Sequence, residues 1–162
     1  MIKIYKTLLL ISLIFSFPAY SFNMAVSSNC SNDVSQYNFS KFSNDPDFKI
    51  KFSSYAYNPD YVFKELKNEN GADIVIKDND VGDFSVCKSY LGKSIKISDY
   101  EFDPDLTVKI SEYAYFPDYT IFNDSKILTT EEAISIILLQ GFEDLYSVAD
   151  WYFLRHPTKT YR

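Results

Sequence analysis

The sequence predicts a mainly β protein: a small body built from repeated strands, followed by a C-terminal helical segment. Three observations carry that expectation. The phrase "SSYAYNPDY" at 53–61 returns as "SEYAYFPDY" at 111–119. A shorter unit, aspartate followed by an apolar–any–apolar triplet, recurs through the same region. Past residue 125 the pattern gives way to a run with helical start and stop signals.

Taken in order, residues 1–21 are expected to be a signal peptide. Lys3 and Lys6 precede the apolar stretch "LLLISLIFSF" (8–17), and Ala19-Tyr20-Ser21 places small residues where a signal peptidase reads, so the cut falls before Phe22. A bilayer span needs about 20 apolar residues, and this run is roughly half that. The expected location is therefore secreted or periplasmic, in a bacterium, with no integral membrane span after signal removal. The whole chain has 162 residues and a formal net charge of −6. Without Lys3 and Lys6 it keeps 14 basic against 22 acidic residues, a net charge of −8. Nucleic acid is disfavoured, because phosphate binding needs clustered Lys and Arg. Anionic membrane surfaces are disfavoured for the same reason.

Residues 22–44 read as a polar N-terminal segment. It holds Cys30, and Cys87 is the one other cysteine. Two cysteines in an oxidising compartment are expected to pair. Reactive thiols are the weaker alternative, since there is no C-x-x-C and no nearby histidine to lower a pKa. Closing a loop of that length stabilises by roughly 4 kcal/mol in the chain-entropy model.

Residues 45–125 form the repeat body. Aligning 45–63 with 103–121 gives 11 identities in 19 positions without a gap. The aspartate-led unit starts at Asp47, Asp60, Asp73, Asp83, Asp105 and Asp118, with a degenerate copy, "SIKI", starting at Ser94. Apolar–any–apolar alternation puts one face of an extended strand toward a core. "FKIKF" (48–52) shows it best, with Phe48, Ile50 and Phe52 on one side and Lys49 and Lys51 on the other. Pro46, Pro59, Pro104 and Pro117 precede four of the aspartates, marking turns rather than strand interiors. Each aspartate is expected to cap its turn through the carboxylate.

Residues 126–162 are the helical segment. Thr129 and Glu132 have the spacing of a capping box, and Glu131 and Glu132 sit where the helix dipole favours acids. The stretch through Ile134, Ile136, Ile137, Leu138 and Leu139 is apolar almost all round and should be buried. Gly141 is expected to break or kink the run, with a second amphipathic stretch following and Pro157 ending it.

The aspartate-led units, with a tyrosine five residues before the aspartate, resemble the septoil-knot family, a domain of unknown function. Tyr55 to Asp60 followed by Phe63, Tyr113 to Asp118 followed by Ile121, and "GADIVI" (71–76) carry the likeness across about 45–125. The resemblance implies a small, deeply knotted all-β body and supplies no catalytic residues. This chain departs from the pattern in its prolines, its varying unit lengths and its added termini. A knotted body, a solenoid-like coil and a meander sheet all satisfy the periodicity.

Chemistry leaves fewer marks. His156 is the one histidine, and it reads as solvated or helix-capping. Zinc-type ligand spacing and nucleophile or phosphate-loop motifs are absent from the sequence. "DPD" at 45–47 and 103–105 and "DND" at 78–80 offer oxygens to calcium, but they lack the ligand number and glycine of a calcium loop. No catalytic residue, metal or cofactor is expected, and the chain reads as not an enzyme. Tyr55, Tyr57, Tyr113 and Tyr115 are the candidate binding surface. Exposed, they would dock a protein or surface ligand; buried, they would pack neighbouring repeats, which repetition favours. The expected function is non-catalytic binding of an unidentified protein or surface ligand, with an inhibitor- or immunity-like role as one version. The alternatives are a small hydrolase using acidic residues and a structural envelope component associating through strand edges.

Overall fold

The computed structural model describes residues 21–31, 34–79 and 81–143. The expected signal peptide, the second amphipathic stretch, His156 and Pro157 lie outside them. Among the described residues there are nine strands: β1 (Phe22–Val26), β2 (Ser35–Ser40), β3 (Phe48–Phe52), β4 (Tyr61–Glu65), β5 (Ile74–Lys77), β6 (Phe84–Lys88), β7 (Lys93–Ser98), β8 (Leu106–Ile110) and β9 (Tyr119–Asn123). One helix, α1 (Thr130–Glu143), follows. All seven repeat units of the sequence are strands. The polar segment at 22–44 adds two more, so the body begins earlier than the repeats suggested.

Every strand pair is parallel, and the strands close into a barrel in the order β1-β5-β9-β4-β8-β3-β7-β2-β6. Parallel pairing excludes the meander sheet, and closure distinguishes the body from an open solenoid. Closure also pairs both sides of every described strand, which removes the free edges that self-association through edges would need.

Parallel strands ordinarily need a crossover of a dozen or more residues. Here 53–60 suffices between β3 and β4, and 89–92 between β6 and β7. Stagger explains the economy. Phe52 at the end of β3 and Tyr61 at the start of β4 both pair with Val108 of β8. The chain leaves one strand and resumes the next at the same height, and the loop has only to cross the face of the strand between them. Two glycines mark how closely it crosses. A Cβ on Gly92 would stand 2.2 Å from the carbonyl carbon of Gln36 in β2, and one on Gly82 would stand 2.9 Å from the amide nitrogen of Ala25 in β1. Only a residue without a side chain lets the crossing backbone lie there.

Inside the ring, one residue per strand is fully buried at the centre. Met24, Tyr37, Ile50, Phe63 and Ile76 follow one another at intervals of 13 residues, then Val86 and Ile95, then Val108 and Ile121, again 13 apart. By this register the unit of β7 is led by Gly92, two residues before the Ser94 expected from the sequence. The helix completes the core. Ala133, Ile134, Ile136, Leu138 and Leu139 are buried and cluster with the central strand residues, and Ser135 between them is buried too. Burial on successive faces places α1 among the inward side chains rather than on the surface. Gln140 of α1 donates to the buried Tyr37 hydroxyl at 3.1 Å, satisfying the polar tip of a core tyrosine. The capping box forms as expected, with the Thr129 amide donating to Glu132 and the Glu132 amide to the Thr129 hydroxyl. Gly141 does not break the helix, which runs to Glu143.

Candidate functional site

The repeat aspartates act between strands, where the sequence suggested caps of local turns. Asp47 accepts from the Ser94 amide (2.7 Å), Asp60 from Thr107 (2.7 Å), Asp73 from Thr120 (2.8 Å), Asp83 from Asn23 (2.8 Å), Asp105 from Lys49 (2.7 Å) and Asp118 from Val62 (2.8 Å). In each case the aspartate's own amide donates back to the carbonyl of the same partner residue. The result is a two-bond clamp that fastens the end of each crossing loop to the strand it has crossed. Proline before the aspartate suits this, because the clamp uses the aspartate amide and asks no donor of the preceding residue. Local turn bonds come from serines at the strand exits instead: Ser40, Ser89, Ser98 and Ser111 each accept an amide two residues on. The six carboxylates are therefore spread around the ring. None lines the cavity of about 130 Å³ bounded by Asn23, Met24, Val75, Lys77, Asn79 and Val81.

The expected disulfide is present, joining Cys30 to Cys87 with Cα atoms 5.5 Å apart. It belongs to the same scheme. The loop 27–34 crosses β6, and Cys87 lies on β6, so this crossing is fixed covalently.

Tyr55, Tyr57, Tyr113 and Tyr115 are each at least 83% exposed. Packing between repeats, which repetition favoured, is not their role; that role belongs to the central strand residues. Following the ring shows where the tyrosines stand. Loop 111–118 crosses β4, 53–60 crosses β8, 99–105 crosses β3, 41–47 crosses β7 and 89–92 crosses β2, and these five strands are consecutive in the barrel. In the same order the loops expose Tyr113, Tyr115 and Phe116; Tyr55 and Tyr57; Tyr100 and Phe102; Phe42; and Tyr90 and Leu91. Ten of the eleven exposed large apolar side chains among the described residues lie on this arc, and the other, Val81, lies on the loop over β1. The apolar exposure is thus confined to five consecutive crossing loops, which cover rather more than half of the ring. Sequence reasoning found four of the ten. The rest lie in loops that do not copy the phrase, and ring adjacency alone brings them together.

Charge on the arc is largely paired. Glu101 meets Lys96 at 2.8 Å, Asp103 meets Lys49 at 3.8 Å and Glu112 meets Lys67 at 3.9 Å. The hydrogen bond from Lys96 holds the Glu101 carboxyl below its ordinary value, and Lys49 and Lys51 add to the effect. No group of three or more histidine, cysteine, aspartate or glutamate side chains among the described residues is arranged to hold a metal ion. No helix among them is long and apolar enough to cross a membrane. Comparison with known proteins finds no family model that matches the chain and no matching curated protein.

Proposed function

We propose that the protein is an exported, non-catalytic binding protein that docks another protein through its tyrosine-bearing crossing loops, with an inhibitor- or immunity-like role as the concrete form. The observation that carries this reading is the high exposure of Tyr55, Tyr57, Tyr113 and Tyr115 on neighbouring loops that the fold does not need for its core. Exposed aromatics supply contact area at low entropic cost. The disulfide supports a secreted or periplasmic location. Engagement of six aspartates with backbone amides favours binding over the acid-residue hydrolase. We add kinship with the septoil-knot family, supported by the way each strand from β6 to β9 lies between two strands of the first circuit, β1 to β5. The test is a pull-down from the native cell envelope using the mature chain and a variant carrying Ser at all four tyrosine positions. Exposed substitutions of this kind change stability by about 0.5 kcal/mol or less each, so the variant folds. A protein retained by the native chain and lost with the variant is the expected result. Equal retention by both overturns the reading.

A further inference from the structure

We propose that the mouth of the barrel where the strands begin is a docking surface for the chain's own residues 144–162, which leave α1 at that mouth and cover it. The inference is independent of docking through the crossing loops. Three observations lead there.

The first is the path of α1. At its start the Thr130 hydroxyl donates to Glu65, the last residue of β4, at 2.7 Å, and Lys88, the last residue of β6, meets Glu132 at 2.6 Å. β4 and β6 stand across the ring from each other, so the helix begins between opposite walls, at the mouth where the strands end. From there it is buried as far as Leu139, and Gln140 reaches the Tyr37 hydroxyl. A helix of 14 residues rises about 21 Å. A five-residue strand spans about 16 Å and stands shorter when tilted. The helix is therefore long enough to traverse the lumen and deliver the chain to the other mouth. The second is the chemistry of the two mouths. Where the strands end, Asn123 Nδ2 donates to the Leu128 carbonyl at 3.1 Å and Asp78 accepts from the Lys126 amide at 2.8 Å, so polar groups hold the strap that enters α1. Where they begin, the inward side chain two residues before each central one is apolar on every strand but β2 and β7. Phe22, Phe48, Tyr61, Phe84 and Tyr119 are half-buried in that layer and pack on the core beneath. With Ile74 and Leu106 between them they come from seven consecutive strands, and Tyr61 and Tyr119 stack with ring centroids 6.3 Å apart. The third is the occupant. Residues 144–162 carry Leu145, Tyr146, Trp151, Tyr152, Phe153 and Leu154, an apolar set suited to an aromatic rim. Tethered at the exit of α1, they meet that rim at an effective concentration on the order of millimolar, against which a second copy or a lipid must compete from solution.

Trp151 is the one tryptophan of the chain, so its fluorescence reads the cover without any substitution. In the full native chain acrylamide should quench it about fivefold less steeply than in denaturant. In parallel, a photo-crosslinking phenylalanine analogue is placed at Phe48, at Phe84 or, on a crossing loop, at Phe102, and the irradiated protein is digested and its adducts mapped. The expected result is adducts within one chain, from both rim positions to residues 144–162, at yields about tenfold above those from Phe102. Trp151 as accessible in the native chain as in denaturant overturns the inference, whether or not the substituted proteins fold. Rim adducts formed chiefly between two copies, to co-purified lipid or to another segment overturn it too, as do equal yields from Phe102 or folded rim variants that give none. Each of these outcomes leaves docking through the loops untouched, and the pull-down with the serine variant decides that separately.

Discussion

Replacing Asp105 by alanine removes one arm of a clamp and leaves the other. The Lys49 amide loses its acceptor at 2.7 Å, while the amide of residue 105 still donates to the Lys49 carbonyl at 2.9 Å. A hydrogen bond to a charged group contributes about 1.5–3 kcal/mol. This bond lies at an exposed site, where water can resolvate the orphaned amide, so the lower end applies: about 1.5 kcal/mol. A chain of this size shifts by about 2–4 °C per kcal/mol, giving a fall in Tm of about 3–6 °C. Asp118→Ala should cost more, about 2.5 kcal/mol, because its bond to the Val62 amide is partly buried. Asp105→Asn keeps the shape and a neutral acceptor and should retain roughly half the effect, since charge-assisted bonds are about twice as strong as neutral ones. Denaturant titration gives the stabilities, and amide hydrogen exchange at Lys49 reads the lost bond directly. If Asp105→Ala leaves both Tm and Lys49 exchange at their native values, the clamps contribute nothing and the repeated aspartates serve only to keep the chain soluble.

Three further outcomes follow from the same geometry. Gly92→Ala should destabilise by more than about 3 kcal/mol, because its Cβ would meet the backbone of Gln36 and Tyr37, which cannot swing aside. Gly71→Ala, at a positive φ with open space around it, should cost only about 1 kcal/mol; equal denaturation midpoints for the two would mean that 89–92 does not lie against β2. Replacing Cys30 and Cys87 by serine should lower stability by up to about 4 kcal/mol, the loop-closure value for a separation of 57 residues, and reductant should act on the native chain alone. The Lys96–Glu101 pair gives a pH signature. Glu101 has a lowered pKa when folded, so its contribution is present above the ordinary glutamate value and disappears as pH falls through the folded value. The difference in Tm between the native chain and Glu101→Gln should be largest near neutral pH and close in acid; a difference that grows toward acid contradicts the assignment.

Strands were legible because alternation and turn residues are local. "DFKI" and "DLTV" announce β3 and β8 without reference to anything distant. The first two strands were missed because they lack the aspartate leader. "FNMAV" and "SQYNFS" have the alternation, and stepping back from Ile50 by 13 residues lands on Tyr37 and then Met24, so the period itself held the signal. The clamp could not be read. A carboxylate before a strand looks the same whether it bonds its own turn or a strand 47 or 56 residues away, and only the register decides. The arc was hidden for the same reason. Phe42 and Tyr90 are far apart in sequence, in loops with no shared wording, and come onto adjacent crossing loops because β7 and β2 are adjacent in the ring.

The duplicated phrase gains its meaning from this arrangement. Successive strands land two places apart in a nine-membered ring, so the chain circles twice and the second circuit fills the gaps left by the first. The two copies, 58 residues apart, therefore fall side by side: β3 pairs with β8, and β4 with β9. Their loops cross β8 and β4, which are themselves neighbours, so the tyrosines of the two copies ride on adjacent crossing loops. The body constrains each unit at only a few points: a central inward residue, the clamping aspartate and the close approach of the crossing backbone. Everything between the strand's exit and the clamp is carried over the outside, where side chains can vary without disturbing the core. Rings so exposed at those positions on five consecutive loops are not core packing. A fold that fixes loop ends so tightly and leaves their middles free is suited to presenting a surface, and here it confines the aromatic part of that surface to five consecutive loops.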